Sequence, residues 1–216
     1  MALKWPVVKE GFVGSRITPV LAMFCALVVA CGSAEAPSSA GTSPSSSGSA
    51  SAGSPKPSFV HFGSGTKMVP SEVKPGTYRT RHASDGCYFA RLKGFSGALE
   101  DIVANGNADG PVVVTILSTD KGFQSSNCDE WTADLSQITS SKTEFGEGDF
   151  IVGTDMVAGT YRSGASDGCY WARLRGFRHT LNDIAANGNT DAGAIVTIKS
   201  TDKGFESERC GSWKKV

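Results

Sequence analysis

The chain has no Cys-x-x-Cys pair, no basic stripe and no apolar run of transmembrane length. Each absence removes a class of function. Without closely spaced cysteines, a zinc centre or a dithiol redox site has no ligand pair to start from. Lysine plus arginine and aspartate plus glutamate number 21 each. With no cationic clustering the electrostatic footprint of a nucleic-acid binder is missing, and nucleic acid is not an expected partner. The longest apolar stretch, Ile17 to Ala30, runs for about fourteen residues, whereas a relaxed span takes roughly twenty. No segment carries a long stripe of 3.6-residue period, which argues against a helical fold.

What is present is a duplication. Gly76-Thr77-Tyr78-Arg79, Ser84-Asp85-Gly86-Cys87-Tyr88 and Ala90-Arg91-Leu92 return as Gly159-Thr160-Tyr161-Arg162, Ser166-Asp167-Gly168-Cys169-Tyr170 and Ala172-Arg173-Leu174. Ser118-Thr119-Asp120-Lys121-Gly122-Phe123, Cys128 and Trp131 return as Ser200-Thr201-Asp202-Lys203-Gly204-Phe205, Cys210 and Trp213. The spacing slips by one residue in the loop around Arg81-His82. Residues kept in both copies are candidates for the fold. Residues that differ are poor candidates for a chemistry that both copies perform. No histidine recurs: His82 aligns near Gly164, and His179 with Gly97.

The first thirty residues read as an export signal, with Lys4, Lys9 and Arg16 ahead of the apolar run. That run ends Leu27-Val28-Val29-Ala30-Cys31, which resembles a bacterial lipobox and makes Cys31 the expected site of lipidation. Plain secretion with cleavage after Ala36, or an uncleaved anchor, are the alternatives. Residues 31–58 are dominated by Ser, Gly, Ala, Pro and Thr. Such a segment buries too little apolar surface to offset its ordering entropy and is expected to be a disordered tether. Its reach would be on the order of 25–30 Å. Loss of residues 1–30 removes three cations and one anion, leaving a net charge of about −2.

Of the six cysteines, Cys25 leaves with the signal and Cys31 takes the lipid. Two remain in each copy. Export to an oxidising compartment favours disulfides. The duplication selects, among three connectivities, Cys87–Cys128 and Cys169–Cys210. Each closure would contribute about 4 kcal/mol in the chain-entropy model, which matters for a unit with a thin core.

Each copy is rich in short β signals. Cys169-Tyr170-Trp171-Ala172-Arg173-Leu174 alternates, with Cys, Trp and Arg on one side and Tyr, Ala and Leu on the other. Ala194-Ile195-Val196-Thr197-Ile198 is the clearest strand. Leu181 to Asn187 is read as a strand, and Asn187-Gly188-Asn189 as a turn. The expected fold is all-β: two tandem small antiparallel sandwich or barrel-like repeats, 59–131 and 145–216, joined by a polar linker, 132–144. Two separate globules with pseudo-two-fold packing are expected rather than one intermixed sheet.

The run Pro/Ala-Gly-Thr-Tyr-Arg, Cys-Tyr-Phe/Trp-Ala-Arg-Leu, Val-Thr-Ile, Thr-Asp-Lys-Gly-Phe, Cys and Trp resembles a domain found in secreted proteins and candidate lipoproteins of Gram-positive bacteria, especially actinobacteria. The resemblance covers nearly all of 64–131 and 147–216. It implies an extracytoplasmic β-rich module and carries over no catalytic residue.

The recurring carboxylates Asp85/Asp167, Asp101/Asp183 and Asp120/Asp202 could in principle serve as acid and base. Ser-Asp-Gly and Thr-Asp-Lys-Gly, however, are contexts in which Asp caps a turn. Asn105 to Gly110 resembles the start of a calcium loop but has Ile116 where the bidentate Glu belongs, so a tight hairpin is expected there. Arg79/Arg162 and Arg91/Arg173 stand near recurring aromatics. Tyr88, Arg91, Tyr170, Trp171 and Arg173 form the candidate binding face, by stacking and cation–π contact. The competing reading has the aromatics filling the core and the arginines pairing with the recurring aspartates. The expected function is therefore a lipid-anchored, non-enzymatic binding module of the cell envelope, without metal or cofactor. Its partner would be an envelope protein or a wall glycan. A purely structural display module and a cell-wall hydrolase are the alternatives.

Overall fold

The computed structural model describes residues 58–216; the segment read as an export signal, Cys31 and nearly all of the expected tether lie outside them. The first repeat runs β1 (His61–Phe62), β2 (Gly65–Met68), β3 (Gly76–Thr80), β4 (Ala83–Leu92), β5 (Ile102–Ala108), β6 (Val112–Ile116), β7 (Gly122–Cys128) and β8 (Trp131–Thr132). The second runs β9 (Glu144–Phe145), β10 (Gly148–Ile151), β11 (Gly159–Ser163), β12 (Cys169–Leu174), β13 (Ile184–Thr190), β14 (Ile195–Ile198), β15 (Gly204–Glu208) and β16 (Trp213–Lys215). Each repeat is two four-stranded antiparallel sheets: β1-β8-β3-β6 with β2-β7-β4-β5, and β9-β16-β11-β14 with β10-β15-β12-β13. Among the described residues no sheet takes strands from both repeats, as expected for two globules.

The alternation read from β12 is the reason the sheets stack. Cys169 and Trp171 face the core of their repeat, with Phe205 and Trp213. In both copies a tryptophan stands edge-on to a phenylalanine, Trp131 to Phe123 at 5.0 Å and Trp213 to Phe205 at 5.1 Å. The buried indole N–H would be costly unpaired. It donates to Ser125 Oγ in one repeat and to Ser207 Oγ in the other, at 3.1 and 2.8 Å. The disulfides Cys87–Cys128 and Cys169–Cys210 tie neighbouring strands of one sheet, with Cα atoms 4.5 and 4.4 Å apart.

Three local expectations are corrected. Leu181–Asp183 is one turn of 3-10 helix, and the strand starts only at Ile184. Asn187-Gly188-Asn189 is not a turn but the middle of β13, where Gly188 opposes Trp171; Asn105-Gly106-Asn107 lies likewise in β5 opposite Phe89. Glycine is there because the ring of the partner lies across it: a Cβ on Gly106 would sit 2.6 Å from the Phe89 ring, and one on Gly188 2.9 Å from Trp171. Ser-Asp-Gly is a turn only in the second copy, before β12, and lies within β4 in the first; in both, the glycine N–H, of Gly86 or of Gly168, donates to a carboxylate from across the sheet, Asp109 or Asp191.

The packing of the repeats departs from the pseudo-two-fold expectation. The β6 edge of the first repeat meets the outer face of the β10-β15-β12-β13 sheet of the second. The equivalent edge of the second repeat, β14, does not reciprocate. Among the described residues its only strand partner is β11. The contact is therefore heterologous, one surface against a different one.

Candidate functional site

The seam between repeats is assembled from an open sheet edge and the groups that close it. An unpaired edge strand exposes a row of N–H and C=O groups. Here the Val113 N–H donates to the Asp149 carboxylate at 2.9 Å, and the Thr115 N–H to the Phe177 carbonyl at 2.7 Å. The Asp149 N–H donates to the Pro111 carbonyl, and His179 Nε2 lies 2.8 Å from the Val113 carbonyl. Val113 itself packs on Ala172, Leu174 and Phe177, with Ile151 and Tyr170 beside them.

His179 is held in the left-handed region, φ +54°, where the first repeat has Gly97 at φ +81°. A non-glycine residue there is strained by on the order of 1 kcal/mol, and its side chain repays that at the seam. The imidazole lies 3.5 Å from the Asp149 carboxylate and edge-on to the Phe89 ring of the first repeat. Burial alone would lower its pKa. The Asp149 hydrogen bond and charge, the charge of Glu206 and the Val113 carbonyl prevail and lift it to about 9. Glu206, cross-strand from Asp149, is raised to about 8 by burial and by that like charge. Glu208 and the Tyr170 hydroxyl are raised chiefly by the same burial.

A second knot fastens the linker. The Asp155 carboxylate accepts two bonds from the Arg79 guanidinium, at 2.6 and 3.1 Å. It also accepts the N–H groups of Ile138 and Ile151. Arg79 donates in addition to the Ser136 carbonyl. The polar linker is thus held by both repeats, through Arg79 and Arg81 of the first and Asp155 of the second. Beside it opens a cleft of about 450 Å³, with Arg81, His82 and Pro111 from the first repeat, Ile138 from the linker, and Glu144 and Phe145 from the second. Arg81 is oriented by the Asp134 carboxylate at 2.7 Å and by Ser136 Oγ. Part of the cleft comes from places where the copies do not correspond, the loop where the spacing slips and the linker, and part from Pro111, Phe145 and Phe150.

The candidate binding face does not come together on the surface. Arg91 is buried and forks onto Asp120 at 2.8 Å through both Nε and Nη2, and it also donates to the Arg178 carbonyl of the second repeat. Arg173 makes the corresponding fork onto Asp202, at 2.7 and 3.0 Å. Trp171 stacks on Phe205 toward the core, while Tyr170 faces the seam and Tyr88 lies in the β2-β7-β4-β5 sheet of the other repeat. The aspartates cap turns by accepting the Leu117 and Lys199 N–H groups, as their Thr-Asp-Lys-Gly context implies. Burial would raise the Asp202 carboxyl, but Arg173 and the Lys199 N–H hold it below the ordinary range.

Gly164-Ala165-Ser166-Asp167-Gly168 matches the spacing of a hydrolase nucleophile elbow, which requires a sharp strand-to-helix turn. Here it joins strand β11 to strand β12, and the Ser166 carbonyl merely accepts the Cys169 N–H. Sequence reasoning passed over Asp149, Asp155, His179 and Glu206. One signal could have found them: all differ from their counterparts Thr66, Glu72, Gly97 and Gln124.

No curated protein and no solved structure matches the chain. A family model, the Rv1352-like extracellular domain, matches it twice in tandem, over residues 60–132 and 142–214. Together with two disulfide-closed β repeats, this makes the protein extracytoplasmic, and the chain belongs to the family of the Rv1352-like extracellular domain.

Proposed function

We propose that the chain is a lipid-anchored, non-enzymatic binding module of the cell envelope, tethered through Cys31 and taking its ligand in the cleft between the repeats. The observation that carries this reading is the composition of that cleft. Arg81 and His82 line it together with the buried Phe145. About 450 Å³ lies in the range of small-ligand sites. A cation, an imidazole, the Glu144 carboxylate and aromatic rings suit a polar envelope ligand such as a wall glycan fragment or a polar loop of an envelope protein. Two of the three recurring carboxylate pairs are committed: Asp120 and Asp202 to arginines and turn N–H groups, and Asp101 and Asp183 to the N–H groups of Ser96 and Arg178, which supports the non-enzymatic reading.

The test is thermal stability of the purified chain titrated with solubilised wall glycan and, separately, with envelope protein extract fractions. A saturable rise in Tm that is lost in Arg81→Ala and His82→Ala is expected. Equal response of both variants, or none in the parent, would sink the cleft as the binding site. Fractionation of Cys31→Ser addresses the anchor, with release from membranes expected. The second reading, a display spacer that binds nothing, is favoured by the burial of Arg79, Arg91, Trp131 and Trp213 and predicts no response to any ligand.

A further inference from the structure

Because the contact between repeats is heterologous, each molecule retains one copy of each half of it. The edge half recurs as β14, where Ile195 takes the place of Val113. The face half recurs as the β2-β7-β4-β5 sheet, where Phe95 takes the place of Phe177 and Met68 that of Ile151. Val113 is 0 % exposed and Phe177 8 %, whereas Ile195 is 61 % exposed, Phe95 55 % and Met68 51 %. Every apolar member of the seam has an apolar counterpart: Ala90 and Leu92, themselves buried within their repeat, stand for Ala172 and Leu174, and Tyr88 for Tyr170, so the exposed apolar part of this face is Phe95 and Met68. The Phe95 ring lies over Gly122 as the Phe177 ring lies over Gly204, so the free face is already shaped like the occupied one.

We propose that copies of this chain associate head to tail, the β14 edge of one docking on the β2-β7-β4-β5 face of the next. The occupant is a second copy because the molecule itself displays what covers such an edge. By the pairing of β6 with β3 and of β14 with β11, the outward backbone groups of Ile195 and Thr197 correspond to those of Val113 and Thr115. The counterpart of the Phe177 carbonyl, on Phe95, would take the Thr197 N–H. A contact of this type does not close at two copies but continues as a ring or filament.

The polar clamp is weaker at the ends. Thr66 stands where Asp149 does, Gly97 for His179, Gln124 for Glu206 and Ser126 for Glu208. The inter-chain contact therefore lacks the carboxylate on the edge N–H. It also lacks the effective concentration that the linker gives the internal seam. Association is expected only at high local concentration, such as crowding on a membrane, and is independent of the ligand cleft.

The experiment places a photoreactive p-benzoylphenylalanine at position 195 of the full chain, in cells and at high concentration in detergent. Irradiation should yield a chain–chain adduct whose linked peptide maps to residues 66–97 of a second copy, and Phe95→Asp should reduce that adduct at least tenfold. Linkage of position 195 to 195–198 of another copy would mean symmetric edge pairing. Linkage within residues 1–57 of the same chain would mean that the edge is covered internally. Either result, capture of a different protein, or no adduct at all would overturn the proposal. As a second measurement, the weight-average mass of the unmodified chain should rise with concentration, and that of Ile195→Lys should not.

Discussion

The guanidinium of Arg79, in the first repeat, forks onto the carboxylate of Asp155, in the second, with both side chains wholly buried. The matching arginine, Arg162, is exposed. The same residue type in the same repeat position thus has two unrelated tasks. Breaking a buried pair leaves an uncompensated charge, whereas an exposed arginine contributes little. Asp155→Ala should lower stability by about 3–5 kcal/mol. Arg162→Ala should change it by less than about 0.5 kcal/mol. Urea unfolding of the two variants side by side is the check.

The turn forks offer a graded comparison. Arg91–Asp120 is buried and also reaches the second repeat through the Arg178 carbonyl, whereas Arg173 of the Arg173–Asp202 pair is partly exposed. Each aspartate also caps its own turn. Asp120→Asn should therefore cost more than Asp202→Asn, by roughly 1–2 kcal/mol given the burial. Equal losses in denaturant melts would mean that the turn cap, common to both, dominates over the ion pair.

Packing of glycine under an aromatic ring is testable in both copies. Gly106→Ala and Gly188→Ala each force a methyl into a ring. Overpacking of this kind costs about 1–3 kcal/mol. The loss should be larger at Gly106, because the Phe89 ring is buried in the core, while Trp171 is partly exposed and has room to shift. Melting temperatures of the two variants decide it.

The seam should respond to pH. Both His179 and Glu206 have folded pKa values raised above their unfolded ones, to about 9 and about 8. The native state then holds protons that the unfolded state has released, so stability falls as pH rises. The Glu206 contribution is full below its unfolded value near 4.5 and is lost as pH climbs through about 8. That of His179 is full below 6.5 and is lost through about 9. A tenfold difference in proton affinity between the two states corresponds to about 1.4 kcal/mol, so stability should decline progressively, by several kcal/mol, between about pH 5 and 9. Glu206→Gln should flatten the lower part of that profile. His179→Gly, which removes the strained backbone together with the imidazole, should flatten the upper part. A profile unchanged in both variants would place the titrating groups elsewhere.

Much of the fold was legible because it is written twice. The paired spacing of Cys87–Cys128 and Cys169–Cys210, the alternation of Cys169 to Leu174 and the apolar run Ala194 to Ile198 are local signals. Local backbone preference and period-2 burial follow from the residues themselves. The reading of Asn-Gly-Asn as a turn failed because a packed ring on the neighbouring strand, not the backbone, selects the glycine. The candidate binding face failed for a related reason. Tyr88, Arg91, Tyr170, Trp171 and Arg173 alternate along strands whose two faces have different fates, and no single-strand pattern says which face a second globule will cover.

The all-β repeat, the disulfide pairing and the turn-capping aspartates thus follow from the amino-acid order, because they depend on neighbours along the chain or on the internal duplicate. How the repeats meet is a matter of three-dimensional packing alone. The seam joins Val113 and Arg79 of one copy to Asp149, His179 and Asp155 of the other. These pairs are distant in sequence, and their second-repeat members differ from their own counterparts. Their energy comes from burying an edge strand and several charges together, and a linear pattern does not record which surfaces lose their water to one another.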